Sequence, residues 1–383
     1  MKSPTSVRKL LPAGVVDAGI ASVASFAAGL TGVNLLSDID RGVYGVFFTA
    51  FMLGGIIVSE LIYVPAQVVA VGAKRPERFG TIPQALRLGL GPSAGGVLVA
   101  VAAGLLTMDE TSNEVIVALV ITTATTIVFS PMQNHVRKML HIAERSWDAA
   151  RVSIVQLVVV AAAIGFLVNT DVHRAWIPFG SLAAANIASL SYGRLIAGIG
   201  GGRPATIRLR FKELVASGKG LVVRASAPAA FAFLAANVLV ELAGSVAYGH
   251  AEAARQVAQP IIVLATGLVA VLGPHSMRAG MTLDERTSQR AWRGYALAIL
   301  GSGALYLALV GWSWELNPML YIVPAAYDVD WLVSVTIAAN VLTTLVMLLT
   351  SELIGAGRTK ALAGLSAATS PALLIVASTA GVT

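Results

Sequence analysis

The chain has no cysteine, which excludes disulfides, thiolate metal sites and a cysteine nucleophile. Charge is scarce too: Asp, Glu, Lys and Arg make up 12% of 383 residues, and aromatic residues 7%. A soluble protein of this length needs more polar surface than that to cover its core. The five histidines show no metal-ligand spacing, so neither a metal nor a cofactor is expected. No hydrophilic stretch is long enough to form a separate soluble domain. What is present is apolar: 56% of residues are hydrophobic and mean hydropathy is +0.77. In a bilayer, where the solvent is itself apolar, that composition fits. The expected fold class is all-α, a polytopic membrane protein.

Eleven spans are expected, at about 11–37, 42–70, 86–107, 115–135, 152–170, 176–199, 221–247, 254–276, 292–313, 331–356 and 361–381. The gaps between them alternate in charge. Of 27 Lys and Arg residues, all but Arg41, Arg174 and Arg255 fall on one side. The other side carries the acids Asp38 and Asp40, Asp109, Glu110 and Glu114, and Asp328 and Asp330. By the positive-inside rule the basic side is cytoplasmic. The N-terminus is then inside and, on eleven spans, the C-terminus outside. The net charge of +7 does not point to nucleic acid, because the cations are spread over short loops and form no continuous groove. The basic start resembles a signal peptide, but its apolar stretch is long and Asp17 interrupts it. A retained first span is expected.

The organisation reads as two lobes: 1–202 with six spans, a basic connector at 203–220, and 221–383 with five. The segment Ile207 to Val215 is a candidate interfacial helix. The lobes share weak likenesses. Gly42-Val43-Tyr44-Gly45, at the start of the second span, resembles Val246-Ala247-Tyr248-Gly249, which precedes the second span of the other lobe. Ile142-Ala143-Glu144-Arg145-Ser146 resembles Gly355-Ala356-Gly357-Arg358-Thr359. Prolines 65, 92, 131, 260 and 274 lie in or near spans, where each removes a backbone hydrogen bond.

Acids inside spans carry the sharpest functional signal, since a carboxylate at a helix centre costs about 2.5–3.5 kcal/mol on insertion. Glu60 lies about 15 Å deep and Asp17 about 9 Å deep by helical rise. Their spans are consecutive and antiparallel, so the two carboxylates can approach each other; in a transporting protein such a pair would couple to protons, and otherwise each makes a structural hydrogen bond or reaches the interface. Glu241 is a third candidate. Glu352 is expected to pair with Arg358, and Arg255 either faces a cavity or pairs with Glu252. His135 and His141 are expected to be solvated at an inner loop. Gly89-Leu90-Gly91-Pro92-Ser93-Ala94 matches a dinucleotide fingerprint only on paper: no strand precedes it, and small residues there suit helix packing. The acidic pair Asp38 and Asp40 sits in a loop too short for a catalytic site, so no catalytic residue and no enzymatic activity are expected.

Some of these residues also carry a family likeness. The run Asp17-Ala18-Gly19-Ile20-Ala21-Ser22-Val23-Ala24-Ser25-Phe26 leads to Arg41-Gly42-Val43-Tyr44-Gly45-Val46-Phe47-Phe48. It resembles the first hairpin of the polysaccharide flippases, the O-antigen and lipid-linked oligosaccharide transporters. Their superfamily includes the multidrug and toxin extrusion proteins. Ala253-Ala254-Arg255-Gln256-Val257-Ala258-Gln259-Pro260, running on to Leu272-Gly273-Pro274, is similar to the family's eighth helix. The turns at Arg145 and Arg358 fit its connections after helices four and ten. The family has twelve or more spans, so the second lobe reads one helix short.

The resemblance implies two pseudo-symmetric lobes around a central cavity in a bacterial cell membrane. A polyprenyl-diphosphate-linked oligosaccharide would pass from the inner to the outer leaflet by alternating access. Implied partners are that lipid-linked glycan, membrane lipids, and a polysaccharide polymerase or glycosyltransferases. Arg194, Arg224 and Arg255 become candidate diphosphate contacts, and Gln256 and Gln259 candidate sugar contacts. The alternatives are a multidrug-type exporter of small molecules on the same fold and a non-transporting membrane scaffold of a polysaccharide assembly complex.

Overall fold

A computed structural model describes residues 7–198 and 207–369, with side chains given for all of these except 7–11, 33–34, 38, 41–42, 75–76, 232–249, 251–253, 256, 325 and 369. Among the described residues the chain is all helical, with no strand. Eight helical stretches are long and apolar enough to cross a bilayer: 12–32, 43–72, 77–107, 113–142, 146–168, 257–282, 285–310 and 332–355. Helix is the form that lets a chain satisfy its own N–H and C=O groups where no water is available. Large apolar side chains point outward, among them Leu98, Leu106, Leu195 and Leu297, each more than two-thirds exposed. Lipid is the solvent that such a surface suits.

The chain divides into two compact units, Met1–Val222 and Val223–Thr383. In the first, α1 (Val7–Asn34) packs on α6 (Ser146–Val168) and α7 (Ile177–Ile196). Helices α2 (Asp38–Val58), α4 (Thr81–Thr107) and α5 (Asn113–Ile142) form the other side, and α5 also meets α7. A short α3 (Val64–Gly72) continues the line of α2. Phe47, Phe179, Tyr44 and Leu119 are buried at the centre of this bundle, with tilted ring contacts from Tyr44 and Phe51 to Phe179. Where α2 crosses α4, a Cβ on Gly96 would lie 2.9 Å from the Gly54 carbonyl, so the backbones themselves touch. Gly89 faces the ring of Tyr63, which gives one residue of the paper fingerprint a packing role.

Between α2 and α3 the helix widens to a π-turn at Ser59–Tyr63. Pro65 accounts for it: it has no N–H to offer the carbonyl four residues back, and its ring crowds that carbonyl. The carbonyls of Glu60 and Leu61 face Gly218, whose Cβ, if present, would sit 2.7 and 2.5 Å from them.

The expected gap between the spans 221–247 and 254–276 is not a break in the helix. Helical hydrogen bonding runs continuously from Phe211 to Thr282 as α8, which also takes in most of the candidate interfacial segment. The physical reason is local: Ala251, Glu252, Ala253 and Ala254 are strong helix formers, and no proline lies between Pro228 and Pro260. Ahead of α8, the Gln84 side chain donates to the Ile207 carbonyl at 2.9 Å and accepts from Leu209 N–H at 2.9 Å, pinning the connector to α4.

In the second unit, α9 (Glu285–Val310), α11 (Leu332–Leu345) and α12 (Met347–Gly355) pack beside the later part of α8. Tyr306 donates to the Val257 carbonyl at 2.7 Å, and Asn340 to that of Ala258 at 3.1 Å. A one-turn α10 (Pro318–Ile322) lies between α9 and α11, and α13 (Thr359–Thr369) closes the described chain. The last expected span, 361–381, lies mostly outside the described residues.

Candidate functional site

The functional candidate begins as a polar stripe on α5. Gln133, Arg137 and His141 recur every four residues and therefore share one face. Ser153 and Gln156 on α6 turn toward them, with Ser146 at the start of the same helix. Asp17 enters from α1. Its Oδ1 accepts from Ser153 Oγ at 2.5 Å. Its Oδ2 lies 2.8 Å from His141 Nε2 and 3.5 Å from Arg137 Nε. The Asp17 and His141 side chains are 2% and 1% exposed.

A buried carboxylate is tolerated only when donors replace its water. Asp17 has three, one of them cationic. His141 is held on both sides, because its Nδ1 is 3.0 Å from Ser146 Oγ. With Asp17 ionised, Nε2 carries a proton toward it and Nδ1 is free to accept from the serine. Arg137 also donates to Ser153 Oγ at 3.2 Å, so acid, guanidinium, imidazole and hydroxyl form one closed set. Farther along the stripe, Gln133 donates to Gln156 at 3.4 Å and Gln156 to Asn186 Oδ1 of α7 at 2.9 Å. Asn186 Nδ2 is buried without a partner.

The site differs from its expectation in three ways. First, the donors to Asp17 come from α5 and α6; Glu60 is not among them. Glu60 is half-buried on the π-turn. Second, His135 and His141 are not solvated. Helix α5 runs to Ile142, well past the expected span end at 135, and carries both inside. His135 stacks on Tyr63 with ring centroids 4.8 Å apart, and its Nδ1 is 3.3 Å from Gln67 Nε2. Third, Glu352 bonds the Ser288 hydroxyl, and Arg358 is exposed. Ser288 lies on the turn of α9 that faces α12, so a neutral donor takes the place expected for the cation.

The other candidates are scattered. Arg194, Arg255 and Gln259 are exposed, and Arg224 is half-buried early in α8. The Glu241 and Gln256 side chains, and Glu252 beside Arg255, lie outside the described side chains. Asp40 accepts from Ser37 and Thr111 hydroxyls at the start of α2. No group of three or more His, Asp or Glu that could hold a metal is found among the described residues.

No protein-family model matches the chain, and no curated protein does. Solved structures do. A MATE protein crystallised in a straight conformation aligns with a TM-score of 0.73 at 13% identity, covering 98% of this chain and 93% of that one. A MATE protein in complex with Br-NRF gives 0.69 at 12% identity, covering 98% and 93%. A multidrug resistance MATE family transporter of the MOP superfamily, in an outward-facing conformation, gives 0.66 at 11% identity, covering 98% and 92%. The fold is thus that of the MATE-type membrane transporters, over nearly the whole chain.

Proposed function

We propose that this chain is a membrane exporter of small organic solutes, driven by protons through the Asp17 site. One observation carries the reading: a carboxylate only 2% exposed, gripped by groups from two other helices, in a chain with the MATE-type fold. A carboxylate is expensive to keep in a membrane helix, and such groups mark ion and proton paths. The donor set suits a proton better than a metal ion. An alkali or alkaline-earth cation seeks several oxygen ligands, whereas Asp17 Oδ2 faces an imidazole nitrogen and a guanidinium.

A proton arriving on Asp17 removes the charge that holds Arg137. It also turns one carboxylate oxygen from acceptor to donor. The contacts joining α1 to α5 and α6 then weaken together, which gives a local event able to bias α1 between two arrangements. Transport by this route makes and breaks no covalent bond other than those of the moving proton.

A second reading keeps the lipid-linked oligosaccharide as cargo. It is favoured by Arg224, a half-buried cation inside α8, whose guanidinium suits a diphosphate. The two are separated in proteoliposomes of the full chain. The exporter reading expects ethidium to move against its gradient under an imposed pH difference, and a fluorescent lipid-diphosphate sugar to stay in its leaflet. Exchange of the lipid without ethidium movement overturns it in favour of the flippase. Movement of neither probe leaves the scaffold reading in its place.

A further inference from the structure

The two units treat corresponding joints differently. Helices α4 and α5 are joined by the short Met108–Ser112 segment, but α9 and α11 by Gly311–Trp331. This joint lies at the end of α9 away from Arg286, Arg290 and Arg293. The longer joint is not bare loop: it carries α10 and a 3-10 turn at Pro324–Tyr327. It holds Trp312, Trp314, Tyr321, Tyr327 and Trp331, the acids Glu315, Asp328 and Asp330, and no Lys or Arg.

The joint is built firmly. Asn317, fully buried, donates to the Trp312 carbonyl at 2.9 Å and caps α10 through Met319 N–H at 2.9 Å. Trp314 Nε1 donates to the Leu309 carbonyl at 2.8 Å, Tyr327 to that of Val310 at 2.9 Å, and Ser334 to that of Gly311 at 2.6 Å. Burial holds the Tyr327 phenol above the ordinary tyrosine range, so it stays a donor.

Within this frame is a cavity of about 290 Å³, lined in part by Gly311, Trp312, Tyr327, Asp330 and Trp331. Trp331 has φ +66°, a left-handed conformation that is an outlier for a bulky residue. Its side chain is nonetheless 74% exposed, so burial does not hold it there. Strain of this kind concentrates at ligand clamps. Asp328 lies 3.8 Å from His250, whereas Asp330 is in no ion pair among the described residues.

We propose that this cavity binds a small organic cation, with its charge toward Asp330 and its body against Trp312 and Trp331. Aromatic faces and a carboxylate attract a quaternary ammonium group, which needs no hydrogen-bond acceptor. The site lies wholly in the second unit and goes beyond the proposed transport at Asp17; binding there can be read whether or not the chain transports.

The test is calorimetry on the purified full chain with benzyltrimethylammonium, benzyl alcohol and glucose as separate probes. The cation alone is expected to bind. Asp330→Asn and Trp331→Gly are each expected to weaken it by about tenfold. Trp331→Gly is also expected to keep or raise the melting temperature, because glycine accepts a positive φ without the steric strain that tryptophan bears there. Folding loss therefore does not explain weaker binding by that variant. The proposal is overturned if both variants bind the cation as the parent does, which would leave Trp312 and Trp331 as interface anchors only. It is equally overturned if benzyl alcohol or glucose binds as tightly as the cation, or if none of the three probes binds.

Discussion

At the scale of single residues, Asp17 is stable in an apolar helix only as long as its donors are in place. His141→Ala removes one of them and is expected to cost about 1–3 kcal/mol, read as a lower unfolding midpoint in detergent. Ser146→Ala, which leaves Asp17 its three donors, is expected to cost less. Asp284 offers a pH-dependent counterpart outside the spans. It caps α9 by accepting from the Thr287 hydroxyl and N–H at 2.7 and 3.1 Å, and those bonds hold its carboxyl below the usual range. Its contribution is then complete above the unfolded aspartate value and is lost as pH falls through the lower folded one. Thermal melts from pH 6 downward are expected to show a gap between the parent and Asp284→Ala that closes in acid. Asp17 was legible in the sequence because a charge in an apolar run has few explanations. Its partners were not, because Arg137 and His141 look like the solvated cations that any inner loop carries. The clue was the four-residue spacing from Gln133 to His141, which has meaning only once α5 is known to run that far.

At the scale of elements, the π-turn and the start of α8 form one device. Pro65 loosens the helix, two carbonyls turn outward, and only a glycine at 218 lets another helix approach them. Gly218→Val is expected to cost about 1–3 kcal/mol by overpacking against backbone that cannot move aside, measured as a lower melting temperature. The turns after α5 and α12 share a geometry. Glu144 and Gly357 have φ +61° and +72°, and Arg145 and Arg358 N–H bond the carbonyls of Leu140 and Leu353 at 2.8 and 2.9 Å. A Cβ on Gly357 would meet nothing within 4 Å, so Gly357→Ala reports the backbone conformation alone. It is expected to destabilise by about 1–2 kcal/mol. That likeness was visible as Arg-containing pentapeptides in the sequence. The unbroken helix through 248–253 was not, because two apolar runs parted by a few polar residues read as two spans when the alanines between them are not weighed.

At the scale of the whole molecule, composition and charge alternation gave the class, an all-helical membrane protein, and the resemblance pointed to the fold. The cargo was beyond them. Charge sorting describes how loops sit beside a membrane, and it is the same for a flippase and for a solute exporter. The central claim is that solute movement and proton movement meet at Asp17. It is tested most directly in proteoliposomes with a trapped pH dye, where a gradient of an exported solute is imposed and the proton flux is followed. The parent chain is predicted to give a saturable pH change, and folded Asp17→Asn none above that of empty vesicles. An equal, solute-dependent proton flux from Asp17→Asn would contradict the account.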